Sequence, residues 1–69
     1  MDYYTMLVYD YGATMWTPEF GSYDKDEVKE EIQSWIDYED YKSHQFLIIC
    51  TGESQDEVQL AVDELNYHI

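Results

Sequence analysis

The chain has 69 residues and a net charge of −13, with sixteen Asp and Glu facing three lysines and no arginine. That length holds one core and no second domain, so residues 1–69 read as one acidic α+β domain. Contacts to phosphate or to anionic lipid need clustered Lys and Arg, which excludes direct nucleic-acid binding and membrane-surface binding; the 17% aromatic content with one proline excludes a disordered acidic tail.

From the N-terminus, Tyr3 to Tyr9 reads as a strand of β-favouring residues. Both of its alternating sets, Tyr3/Thr5/Leu7/Tyr9 and Tyr4/Met6/Val8, are apolar, as in a central strand covered on both sides. Asp10-Tyr11-Gly12 supplies a turn, Ala13 to Thr17 returns as a shorter strand, and Pro18 is expected to end it. Asp24, followed by Glu27, has the spacing of a capping box, and Val28, Ile32, Trp35 and Ile36 form a helical stripe that fades within 37–42.

Gln45 to Thr51 predicts another strand, and Ser54 with Glu57 repeats the capping spacing. Val58, Ala61, Val62, Leu65 and Ile69 then mark the buried stripe of a second helix. Asp26-Glu27-Val28 and Asp56-Glu57-Val58 echo one another at an offset of thirty residues, as any two amphipathic helices with acidic first turns would.

The order ββαβα predicts an α+β fold. A crossover through the first helix favours a three-stranded mixed sheet, with Tyr3–Tyr9 central and both helices on one face. The other face would then lie open, and a second copy of the chain is the expected cover, making a homodimer. The single cysteine allows no internal disulfide. No basic segment precedes an apolar run at the N-terminus, and Phe46–Cys50 is too short to span a bilayer, so a cytoplasmic setting is the default expectation.

Catalysis finds no constellation. Ser54 sits where a helix cap is wanted, Cys50 lies in an apolar run, and His44 and His68 have no metal-ligand spacing with it. Neither an enzymatic activity nor a cofactor or metal is expected. The helix surfaces carry more. Asp26, Glu30 and Asp37 lie opposite the first stripe, Glu27 and Glu31 flank them, and Glu39 and Asp40 continue the acid, interleaved with Tyr38 and Tyr41. On the second helix Leu60 and Tyr67 lie opposite the buried stripe and alternate with Asp56 and Asp63, a seam fit for a partner or a twin. Eight tyrosines exceed what a small core can hold, and tyrosine is enriched in protein interfaces.

The acidic run Asp24–Asp40, in so small and acidic a chain, resembles phage-encoded DNA-mimic proteins, a functional group that inhibits uracil-DNA glycosylase, restriction enzymes, CRISPR effectors or the nucleoid protein HU. Among these the chain looks most like a small, dimeric HU antagonist. The resemblance implies an inhibitor that occupies the basic DNA-binding surface of a bacterial host protein, with carboxylates standing in for phosphates. The group shares no single fold, so no fold or site residue is carried across. The competing expectations are an acidic interaction adaptor that uses the Leu60/Tyr67 seam and a protein adapted to high salt.

Overall fold

In the computed structural model, which describes residues 1–67, the elements are β1 (Tyr3–Asp10), β2 (Met15–Ser22), α1 (Lys25–Tyr38), a 3-10 turn at Ser43–Gln45, β3 (Phe46–Thr51) and α2 (Gln55–Tyr67). The ββαβα order and the α+β class are as expected. Ile69 and His68 lie outside the described residues.

The first hairpin is set by Asp10, whose Oδ1 accepts from the backbone N–H groups of Gly12 (2.9 Å) and Ala13 (3.2 Å). This aspartate turn places Ala13 in the loop, and Thr14 closes the reversal at φ 52 in the left-handed region. The second strand therefore starts at Met15, and it continues past Pro18 to Ser22, contrary to expectation. Pro18 is tolerated because β2 is an edge strand, with ladder bonds on one side only. Beside it, Met6 pairs with Phe20 and Leu7 with Pro18, so Glu19 is the extra residue of a β-bulge.

The sheet order is β2-β1-β3, and β1 is antiparallel to both neighbours. The sheet is not mixed. The crossover helix leaves β2, not β1, and the hairpin has already reversed the chain. The strand after the helix therefore runs with β2 and against the β1 strand lying between them.

The helices also take opposite faces, where one shared face was expected. Met6 and Val8 of β1, with Phe46, pack against Val28 of α1; Ile32, Trp35, Ile36, Phe20 and Ile48 surround them. Leu7 packs against Val58 and Val62 of α2, ringed by Tyr3, Trp16, Ile49 and Leu65. Alternate β1 side chains point to opposite faces, so a strand apolar on both sets needs two covers. Its own chain provides both, and the open face that called for a second copy does not exist. Oligomeric state thus has no support from that argument.

Both helices begin with the expected caps, in altered form. Asp24 accepts from Asp26 N–H at 2.9 Å and Ser54 Oγ from Asp56 N–H at 3.2 Å. Glu27 does not reach back to Asp24. Instead Asp24 N–H donates to Ser22 Oγ (3.0 Å), and that hydroxyl donates to Glu27 Oε2 (3.1 Å), closing the box through a serine.

The molecule measures 30 × 27 × 13 Å. Three strands about 4.8 Å apart account for the short dimension, and a helix on each face of the sheet, at about 10 Å, accounts for one of the long ones. The result is a thin slab with a helix along each of two opposite sides.

Candidate partner-binding surface

The acids follow the helices. Between residues 24 and 42 there are eight carboxylates and three lysines, a net −5; between 53 and 64 there are five carboxylates and no lysine, again −5. Because α1 and α2 cover opposite faces of the sheet, an acidic helix lies on each of two sides. The sequence expectation put most of the acidic row on the first helix and the loop after it, with Leu60 and Tyr67 interrupting the acid of the second. The fold sets the acids of the second helix on the opposite side of the sheet.

On α1, Asp26 and Glu30 are exposed, about 6 Å apart along the axis at 1.5 Å per residue. Asp37 is exposed about two turns further on and accepts from Gln33 Nε2 at 2.9 Å, which holds its carboxylate against the helix. Glu27 is exposed but committed to the Ser22 cap. Glu31 is half-buried, drawn toward the core by the Trp35 indole, whose Nε1 donates to Glu31 Oε2 at 2.9 Å. That bond satisfies the indole N–H where the ring packs on Tyr41 and Phe46.

The segment after α1 is built by geometry that sequence spacing does not display. Glu39 caps the helix, its N–H donating to Trp35 O at 2.9 Å, and Asp40 follows at φ 62. A left-handed residue just past a helix is usually glycine; here an aspartate fills it, at a backbone cost glycine would not incur. Both carboxylates are exposed, as is Tyr38 at 85%. Tyr41 is different. It packs on Trp35 and Phe46 with ring centroids 5.1 and 5.7 Å away, so it belongs to the core margin more than to a contact surface.

On α2, Leu60 (68% exposed) and Tyr67 (84% exposed) lie on the outer face as read from spacing. Asp63 is exposed and accepts from Gln59 Nε2 at 2.8 Å, repeating the Gln33–Asp37 pairing on α1. Asp56, Gln59, Leu60 and Asp63 line a shallow depression.

Sequence reasoning missed an aromatic cleft at the turn end of the hairpin. Tyr9 stands edge-on to Tyr11 and Trp16, with centroids 5.0 and 5.2 Å apart. Tyr11 Oη and His44 Nε2 share a hydrogen bond of 3.2 Å across thirty-three residues. Tyr9 and Tyr11, with Asp10, Glu19, Trp35 and Tyr41, line a cleft of about 400 Å³. The signal was the pair of aromatics flanking Asp10, but only the hairpin brings Trp16 to Tyr9.

At the opposite end Tyr23, edge-on to Tyr3 at 5.0 Å, donates to Glu53 Oε2 at 2.7 Å. That hydrogen bond to a carboxylate holds the Tyr23 proton and raises its pKa above the ordinary 10.0. Burial, with the nearby Cys50 and Asp2, raises that of Tyr4. Cys50 lies within the apolar strand β3, as expected, but its side chain is exposed. Among the described residues there is no cluster of three or more His, Cys, Asp or Glu able to hold a metal ion, and no helix is long and apolar enough to cross a membrane.

No family model, curated protein or solved structure matches the chain.

Proposed function

We propose that the protein is a DNA-mimic inhibitor: it occupies the basic DNA-binding surface of another protein, with a nucleoid protein of the HU type favoured, and blocks DNA binding there. One observation carries the reading. The segments carrying α1 and α2, each of net −5, cover opposite faces of the sheet, where a merely solubilising surface needs neither such density nor such disposition. A duplex is likewise negative on every side, and a partner whose basic arms and saddle embrace DNA meets charge from more than one direction. Asp26, Glu30, Asp37, Glu39 and Asp40 supply carboxylates on the α1 side, with Tyr38 beside them; Asp56 and Asp63 supply them on the α2 side. Three lysines can neutralise at most three of sixteen acids, so attraction to a basic partner is long-ranged and salt-sensitive. The protein acts as a bacterial-cell inhibitor without cofactor or catalysis on this reading.

The test titrates the protein into complexes of labelled DNA with HU-type and other basic DNA-binding proteins at several salt concentrations. DNA should be displaced at low salt, and the charge reversals Glu30→Lys, Asp37→Lys and Asp40→Lys combined should abolish displacement. Absence of binding at low salt, or binding that DNA never competes with, would overturn mimicry.

A second reading is an interaction adaptor that docks through Leu60 and Tyr67, favoured by the exposure of two large side chains seven residues apart on α2. It predicts that the α1 charge reversals leave binding intact while Leu60→Asp removes it.

A further inference from the structure

The two edges of the sheet are treated differently. The β2 edge is guarded three ways. Asn66 of α2 lies along it, donating from Nδ2 to Trp16 O at 3.0 Å and accepting Trp16 N–H on Oδ1 at 2.7 Å. Pro18 removes a donor, and the Glu19 bulge breaks the flat ladder. No strand can add there.

The β3 edge has none of these devices. Phe46 to Thr51 contains no charge, proline, glycine or bulge, and its pairing with β1 is regular over six residues. Among the described residues its outward N–H and C=O groups have no backbone partner. α1 lies over β1 and β2, so the α1 side of β3 is left uncovered at Cys50, while Leu47 on the other side is 39% exposed. An unguarded, flat, apolar edge is a template for another strand.

We propose that β3 pairs antiparallel with β3 of a second copy, joining two sheets into one of six strands. The occupant follows from charge. Through its helical faces a chain of net −13 meets its twin acid to acid. On β3, either two-fold register, centred on Ile48 or on Ile49, sets only uncharged residues opposite one another. A basic partner gains nothing from this strip, because it offers no carboxylate. The two-fold axis stands perpendicular to the sheet, so both copies present α1 on the same face, about four strand spacings or ~19 Å apart. The pairing stands on the fold alone; if the mimicry reading also holds, the dimer presents two parallel acidic rows to one partner.

Sedimentation and amide exchange test it on the full chain. The native protein is expected at twice the monomer mass, with alternate β3 amides protected in concentrated samples and released on dilution. Leu47→Lys, at an exposed position, should sediment as a folded monomer with those amides unprotected at every concentration. Added salt should strengthen the dimer, because it screens repulsion between like-charged copies, whereas it weakens any complex with a basic partner. The opposite salt response separates failure of the pairing from failure of mimicry. A native monomer at all concentrations, a Leu47→Lys dimer, or β3 protection that appears only when a basic partner is added would each overturn the proposal.

Discussion

Asn66 joins the second helix to the edge of the sheet, and its removal has a calculable cost. Its amide makes two hydrogen bonds with the backbone of Trp16, at 2.7 and 3.0 Å, both partly buried. Each neutral bond contributes about 1 kcal/mol net, so the pair accounts for about 2 kcal/mol. Asn66→Ala also relieves the helix of a poor former, a gain of at most ~0.7 kcal/mol in a helix interior and less in a last turn. The balance is a loss of about 1.5 kcal/mol. In a domain of this size a loss of 1 kcal/mol lowers Tm by roughly 4–8 °C, so the expected fall is about 6–12 °C. Circular dichroism melts at fixed salt and low protein concentration measure it. Asn66→Asp keeps the acceptor for Trp16 N–H but loses the donor, and should fall between the two. The Trp16 amide, freed from its cap, should also exchange faster with solvent. An Asn66→Ala variant melting at or above the native temperature would refute the reasoning, because the edge would then be held by packing alone.

Thr5 is buried, and its hydroxyl finds no hydrogen-bond partner among the described residues; Thr5→Val should therefore raise stability by about 1 kcal/mol in urea unfolding. Asp40→Gly relieves a left-handed aspartate and should stabilise by about 0.5–1 kcal/mol, while on the mimicry reading it weakens binding to a basic partner. Those opposite signs come from unfolding and binding titrations of one variant. Tyr23 has a raised pKa in the folded state, so the stability due to its bond with Glu53 is fully present below pH 10 and lost as pH climbs through the raised value. Native protein and Tyr23→Phe should accordingly differ at neutral pH and converge in alkaline melts. Moderate salt should raise the native Tm by screening self-repulsion, and an unchanged Tm would contradict that.

Much of the local structure was legible because it depends on near neighbours. The stripe of Val28, Ile32, Trp35 and Ile36 and the stripe of Val58, Ala61, Val62 and Leu65 face the cores as their spacing required. Asp24 and Ser54 cap the helices that they precede. The exposed positions of Asp26, Glu30, Asp37, Leu60 and Asp63 also follow from helical period alone. Glu31 and Tyr41 took other roles: Glu31 accepts from the Trp35 indole one turn on, and Tyr41 packs on Trp35 and Phe46, side-chain contacts that charge spacing does not display.

By itself the sequence determined the acidity, the element order and the two-sided apolar character of β1, properties written in composition and short-range period. What only the tertiary structure decided is how those parts are arranged in space. Strand direction turned on the hairpin reversal before the crossover, and helix placement turned on which set of β1 side chains each stripe met. From those choices come the acidic helices on opposite faces, the guarded β2 edge and the open β3 edge. Period within a segment constrains its own faces, but which face meets which is a matter of long-range packing, and a single strand with two apolar sides leaves that choice to the rest of the chain.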